Sequence, residues 1–114
     1  MYYIYMVRCT DDSLYTGIAA DLQRRLRQHV DKAPAAAKYT RSRTVAALEA
    51  AWTAPDRSAA SRLESAIKRL PREKKLALIA DNDRLSDLLP QLSADDYTRI
   101  PGLMLEACLK GETP

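Results

Sequence analysis

Several residue types are scarce in this 114-residue chain, and each scarcity excludes a class of protein. The two cysteines, Cys9 and Cys108, lie far apart and the chain has a single histidine, so no spacing typical of a structural zinc site is present. No apolar run approaches the ~20 residues of a membrane-spanning helix. Repeats and low-complexity tracts are also absent. Because the first residues resemble a strand and not a signal peptide, we expect a cytoplasmic protein with both thiols reduced.

The charged residues are distributed unevenly along the chain. Residues 1–80 contain 15 Lys and Arg against 8 Asp and Glu, whereas residues 81–114 contain 3 against 7. In the basic part Arg outnumbers Lys by 10 to 5, and the planar guanidinium group suits phosphate oxygens. Most such charges form ordinary solvated surface, but a sustained excess in one segment favours a polyanionic partner.

The residue pattern alternates between strand-like and helix-like segments. Aromatic and β-branched residues predict two strands joined by the turn TDDS. The segment TVAALEAAWT is ambiguous, because its alanines favour a helix and its ends favour a strand; we assign it as a strand. Strands are therefore predicted over 2–9, 14–18 and 44–53, and helices over 22–31, from Asp56 or Ser58 to about 70, and over 71–80.

This order of elements predicts an α+β domain over residues 1–80, with a small, mainly antiparallel sheet covered by helices. Residues 81–114 form an acidic C-terminal extension that is broken by Pro90 and Pro101. Leucines between Leu85 and Leu92 predict a short amphipathic helix there, and GLMLEACLK predicts another. We expect the extension to be helical and packed on the domain, although its negative charge could instead cover the basic surface and compete with a polyanion.

The first predicted helix carries polar residues on its leucine side. At 100° per residue, His29 lies about 20° from Leu22, and Arg25 about 60° in the same direction. A buried histidine with one backbone hydrogen bond, and an arginine that extends its head to the rim, would be the structural interpretation. Two cationic or hydrogen-bonding groups one turn apart on that side can instead form a pocket that binds an anion.

The aromatic residues are six tyrosines and one tryptophan, with no phenylalanine. A core that needed only aromatic bulk would be expected to mix tyrosine and phenylalanine. Tyr5 and Tyr15 flank the predicted turn, and they share a sheet face only if the hairpin loop has an odd number of residues or a bulge. A packing tyrosine with its hydroxyl group at the surface is the common alternative.

Glu64 lies just outside the apolar stripe of the next long helix, about 100° from Leu63. A solvated i,i+4 ion pair with Lys68 is the structural interpretation. The functional interpretation is a carboxylate that holds a divalent cation at the rim of the sheet, since Mg²⁺ often uses only one or two carboxylates and keeps several waters.

In combination these residues resemble the GIY-YIG nuclease superfamily, and in particular its small, stand-alone bacterial branch. The tripeptide YIY at Tyr3–Tyr5 stands where the family has GIY, and YTG at Tyr15–Gly17 stands where it has YIG. Arg25 follows Tyr15 by the spacing that the family uses. The similarity covers residues 1 to about 80 and includes RRLRQH, KYTR and LESAIKRLPREKKLALI. It implies a three-stranded antiparallel sheet flanked by helices.

The resemblance implies an endonuclease that hydrolyses DNA phosphodiester bonds with one divalent cation, Mg²⁺ or Mn²⁺, in repair or recombination. Tyr5 or Tyr15 would help to deprotonate the attacking water, and Arg25 would stabilise the charge that develops on the phosphate. A free tyrosine has a pKa of about 10, so such a base needs positive neighbours.

The remaining roles follow in the same way. The resemblance implies that His29 and Tyr39 line the site and position water or phosphate, and that Glu64 binds the metal. The DNA itself would contact basic residues on the first helix and in the loop that follows: Arg24, Lys38, Arg41 and Arg43.

Two departures from the family pattern support an alternative. Ile18 replaces a lysine that some members carry after the YIG glycine, and no polar counterpart to a residue near their metal site is evident beside Pro71. A DNA-binding module that cuts poorly or not at all is therefore the alternative function. No separate DNA-reading module, membrane contact or small-molecule cofactor is indicated, and the sequence leaves monomer and weak dimer open.

Overall fold

A hairpin of two strands begins the chain because the residues on each side of a polar turn are aromatic and β-branched. In the computed structural model, which describes residues 1–31, 44–102 and 104–110, β1 spans Tyr2–Cys9 and β2 spans Leu14–Ala19. The helix α1, Leu22–Val30, begins after Asp21, whose Oδ1 accepts a hydrogen bond from the backbone N–H of Arg24 at 3.1 Å.

The ambiguous alanine-rich segment is a strand, as assigned. β3 spans Val45–Ala54 and pairs antiparallel with β1, with register shifts after Met6 and after Arg8. Asp56 then caps the helix α2, Arg57–Arg69, and accepts a hydrogen bond from the backbone N–H of Ala59. Pro71 precedes the helix α3, Arg72–Ala80.

The sheet has four strands, so the expectation of three is wrong. β4, Thr98–Arg99, comes from the acidic extension and pairs antiparallel with the last part of β3, which gives the order β2-β1-β3-β4. Its partners are Trp52 and Thr53. Two residues carry too little pattern to be recognised as a strand, because their pairing is decided by contacts with residues far away in the chain.

The extension contains two short helices. The helix α4 spans only Leu85–Leu88, since the chain turns before Pro90, and α5 spans Leu105–Leu109. Short 3₁₀ turns lie at Asn82–Arg84 and Ala94–Asp96. None of the helices in the described ranges has the length and apolar character needed to cross a lipid bilayer.

Two apolar clusters cover the two faces of the sheet. One contains Ile4 and Met6 of β1 and packs against α2, α3 and α4. The other contains the alternate β1 residues Tyr5 and Val7, and packs against α1 and α5. The period of two along β1 therefore directs Tyr5 toward the side covered by α1.

Candidate active site

The hairpin places Tyr5 and Tyr15 on the same face of the sheet. Tyr5 pairs with Gly17 and Val7 pairs with Tyr15, so the loop between the last paired residues contains an odd number of residues, 9–13. The two rings lie 6.4 Å apart between centroids. Both phenols therefore lie on the face of the sheet that α1 covers, which is the condition for a shared site.

Gly17 makes room for the Tyr5 ring. A Cβ atom at position 17 would lie 2.6 Å from Cζ of Tyr5, a separation that real Cβ contacts do not show. The glycine of the YTG tripeptide is needed because the phenol of the facing strand crosses directly over its backbone.

His29 closes the pocket from α1. It is completely buried, and its Nε2 accepts a hydrogen bond from the hydroxyl group of Tyr5 at 2.6 Å. Its ring centroid lies 5.6 Å from those of both Tyr5 and Tyr15. Burial, together with the nearby charge of Arg25, lowers the pKa of His29 to about 4, so the imidazole is neutral at neutral pH and can accept this hydrogen bond.

Arg25 lies beside both phenols. Burial raises the pKa of Tyr5 and of Tyr15 above the usual value for tyrosine, while the charge and hydrogen bonds of Arg25 act in the opposite direction. Its Nη1 donates a hydrogen bond to Oε1 of Gln28 at 3.0 Å. The guanidinium group is thereby held close to the phenols and can meet an anion that enters the site.

Glu64 approaches the phenols from α2, which contacts the edge strand β2. Its negative charge contributes to the raised pKa of both Tyr5 and Tyr15. The Glu64 side chain is 22% exposed and forms an ion pair with Lys68, with 3.5 Å between Oε2 and Nζ. The same Nζ lies 5.7 Å above the centroid of the Tyr15 ring.

Five of the predicted side chains therefore converge: Tyr5, Tyr15, Arg25, His29 and Glu64. The predicted DNA-contacting Arg24 is exposed on α1, where it lines a cleft of about 280 Å³ together with Arg25 and Gln28. The other predicted residues lie outside the described part of the chain: Lys38, Tyr39, Arg41 and Arg43.

Two residues at the site were not assigned there from the sequence. Gln28 follows Arg25 by three positions on α1, and that spacing is the signal that could have identified it as a partner of the guanidinium group. Lys68 was recognised only as a partner of Glu64. Its position over Tyr15 depends on how α2 packs beside β2, which no local pattern reveals.

The donor set suits a hard cation that keeps much of its hydration shell. Among the residues that the structure describes, no group of three or more His, Cys, Asp or Glu side chains is arranged to hold a metal ion. Glu64 offers a carboxylate at a partly open rim, and a substrate phosphate and water would supply further oxygen ligands. The residues therefore fit Mg²⁺ or Mn²⁺ held jointly with substrate, and do not fit a closed structural site.

Comparison with known proteins assigns the chain to a family. The family model for the GIY-YIG catalytic domain matches residues 1–77. The chain belongs to the GIY-YIG family. The match confirms the resemblance read from the two tripeptides, and it ends before the extension that supplies β4.

Relatives of this GIY-YIG protein occur in distant organisms. It is 42% identical over 82 residues to the UPF0213 protein of Fusobacterium nucleatum, covering 72% of this chain and 80% of that one. It is 47% identical over 77 residues to the UPF0213 protein of Haloquadratum walsbyi, covering 68% and 84%. The solution NMR structure of a UPF0213 protein from Bacillus halodurans matches with 39% identity, 70% and 84% coverage and a TM-score of 0.46. These names state no activity.

Proposed function

We propose that this GIY-YIG protein is a divalent-metal-dependent endonuclease that hydrolyses phosphodiester bonds of DNA and acts in repair or recombination. The observation that supports this most is the convergence of two phenols, a guanidinium group, a neutral imidazole and a carboxylate at one edge of the sheet. A cytoplasmic location agrees with the buried thiols of Cys9 and Cys108, which are not joined in a disulfide.

Tyr15 is the better placed of the two candidate bases. Tyr5 is completely buried, and its hydroxyl group is hydrogen-bonded to His29. Tyr15 is partly exposed and has cationic groups on two sides, Arg25 and Lys68. Positive neighbours stabilise a phenolate, and once ionised by a bound cation or substrate Tyr15 would accept the proton of a water while the water oxygen attacks phosphorus and the bridging oxygen leaves.

Tyr5 and His29 are then positioning residues. Their hydrogen bond fixes the imidazole ring, which lies 5.6 Å from the Tyr15 ring between centroids. A neutral His29 does not repel Arg25 in the same pocket. Tyr39 is proposed to line the site beside them.

Arg25 and Glu64 are proposed to act on the phosphate. The guanidinium group, oriented by Gln28, binds the non-bridging oxygens and stabilises the charge that develops in the transition state. Glu64 would hold the cation, Mg²⁺ or Mn²⁺, which supplies Lewis-acid stabilisation of the leaving oxygen. DNA on either side of the cut would be held by Arg24 and by basic residues of the following segment: Lys38, Arg41 and Arg43.

A cleavage assay tests this proposal. Purified protein is incubated with Mg²⁺ or Mn²⁺ and a panel of duplex, single-stranded, flapped and branched DNAs. We expect cleavage of at least one substrate by the wild type and by Glu73→Gln, which removes an exposed carboxylate from α3. Glu64→Gln is expected to lose cleavage with its fold intact, because it removes the proposed metal ligand. Full cleavage by Glu64→Gln would contradict the proposal.

The alternative, a DNA-binding module with little or no catalysis, has one observation in its favour. The pKa of both phenols is raised, so neither is ionised at neutral pH unless a bound cation or substrate changes the field. This alternative predicts DNA binding that weakens steeply with salt, without cleavage of any substrate in either metal.

A further inference from the structure

A second cleft lies on the side of α2 that faces away from the sheet. It has a volume of about 770 Å³ and is bounded by α2 on one side and by Gln91 and Leu92 of the extension on the other. The polar side chains on the α2 wall are three arginines and three serines: Arg57, Ser58, Ser61, Arg62, Ser65 and Arg69.

The residues that line the cleft include three arginines and no acidic residue. None of the ion pairs between described residues includes Arg57, Arg62 or Arg69. Arg62 instead donates a hydrogen bond from Nη1 to Oγ of Ser58 at 2.8 Å. Three guanidinium groups in one cleft repel each other, so an occupant with several negative charges would be favoured.

The spacing of the arginines suits an extended polyanion better than a single phosphate. Arg57 and Arg62 are five residues apart, and Arg62 and Arg69 are seven apart, so their Cα atoms are separated by ~7 Å and ~10 Å along the axis of α2. Guanidinium and hydroxyl groups are the usual partners of nucleic-acid phosphates. No aromatic side chain lines the cleft, so it offers no surface on which bases could stack.

The cleft also borders the candidate active site. Glu64 and Ser65 are consecutive on α2, as are Lys68 and Arg69, so each pair diverges by about 100° around the helix axis. Lys68 lies over Tyr15 and pairs with Glu64, whereas Ser65 and Arg69 line the cleft. A strand that leaves the site across α2 would therefore enter the cleft.

We propose that this cleft binds the phosphate backbone of the nucleic-acid strand that flanks the cut, without reading its bases. The proposal rests on the proposed function, because it is the same DNA that passes the site. It assigns three arginines of α2 to substrate binding in addition to the basic residues of α1 and of the segment after it.

The salt dependence of binding tests the proposal without requiring cleavage. The affinity for a fluorescent single strand and for a duplex is measured by anisotropy in EDTA at several salt concentrations. Arg57→Gln/Arg69→Gln is expected to reduce the slope of log affinity against log salt by about 1.4 to 1.8, because two phosphate contacts are lost. Both side chains are exposed, so the fold is expected to be retained. Ser65→Glu, which places a negative charge in the cleft, is expected to weaken binding as well.

Lys74→Gln/Lys110→Gln is the matched control, since it removes the same charge from exposed positions outside the cleft. Its slope should equal that of the wild type. The proposal is overturned if the arginine variant has the same slope as this control, or if the wild type binds no DNA. Wild-type binding without cleavage in Mg²⁺ or Mn²⁺ would refute the nuclease alone, and the slopes would still decide the role of the cleft.

Discussion

Burial keeps the phenol of Tyr5 and the imidazole of His29 in their neutral forms. The pKa of Tyr5 is raised and that of His29 is lowered to about 4, so the hydrogen bond between them joins a neutral donor to a neutral acceptor. Such a pair needs no counterion, so it does not draw on the nearby charges of Arg25 and Glu64.

The stability of the protein is therefore expected to fall on acidification. The folded chain binds the His29 proton only near pH 4, whereas the unfolded chain binds it near pH 6.5, so the free energy of unfolding decreases as pH falls through this window. A pKa shift of this size corresponds to about 3 kcal/mol. Urea unfolding at several pH values measures it. His29→Gln should show a shallower decline, since the variant lacks the contribution of His29; equal slopes would contradict the account.

Removing one hydroxyl group at a time separates the two tyrosines. Tyr15→Phe is expected to lower the single-turnover cleavage rate by about 10²- to 10⁴-fold, as for loss of a general base. Tyr5→Phe keeps the ring, loses the hydrogen bond to His29, and should cost about 1 kcal/mol of stability with a smaller loss of rate. A larger loss of rate in Tyr5→Phe would reverse the assignment.

For the wild type the rate of cleavage should rise with pH above neutrality, because burial raises the pKa of Tyr15.

At the scale of elements, the extension contributes to both sides of the sheet. Leu85, Leu89 and Tyr97 are buried with α2 and α3, and the Tyr97 hydroxyl group donates a hydrogen bond to the carbonyl oxygen of Ala59 at 2.7 Å. On the other side α5 packs on α1, where Gln23 and Arg27 both donate hydrogen bonds to the carbonyl oxygen of Leu109. The end of the extension therefore packs on and is hydrogen-bonded to the helix that carries Arg25 and His29.

Truncation after Ala80 is expected to destabilise the protein severely. It removes the buried side chains of Leu85, Leu89, Tyr97 and Cys108, of which the two leucines alone are worth about 1.5–3 kcal/mol each. Thermal melting followed by circular dichroism should show no cooperative transition, or one lowered by well over 10 °C, since about 1 kcal/mol shifts the midpoint of a domain this small by several degrees. Ser86→Ala, an exposed change on α4, should melt like the wild type. A truncated chain that melts within a few degrees of the full chain would contradict this expectation.

The elements that could be predicted from the sequence are those whose own residues specify them. β1 and β2 flank a polar turn, α1 and α2 each follow an aspartate cap, and their bounds agree with the prediction within about two residues. β4 could not be predicted, because two residues become a strand only when β3 is beside them. The short α4 has the leucine pattern of a longer helix, which the following proline prevents.

At the scale of the whole molecule, the sequence predicted residues of the candidate site but not the contacts between them. The sequence indicated which side chains share a helix face or a sheet face. The family resemblance indicated that the separate segments contribute to one site. The hydrogen bond from Tyr5 to His29, the position of Lys68 over Tyr15 and the cleft behind α2 depend on how α1 and α2 pack against the sheet. Those contacts are long-range in sequence, and no local period encodes them.

Folding places part of the basic excess of residues 1–80 on two sides of the candidate site. The exposed Arg24 lies beside the site on α1, and the cleft arginines lie beyond Glu64 on α2. DNA that spans the site would meet positive charge on both sides, so affinity should depend mainly on the backbone and little on sequence.

The central claim is that Arg25 meets the scissile phosphate, and single-turnover cleavage at saturating protein tests it most directly. Arg25→Gln is expected to lower the rate by about 10²- to 10³-fold, as for loss of a transition-state donor, while its far-ultraviolet circular dichroism stays that of the wild type. Arg84→Gln, which removes an exposed arginine of the extension, should cleave at the wild-type rate. Equal rates for Arg25→Gln and Arg84→Gln would contradict the account.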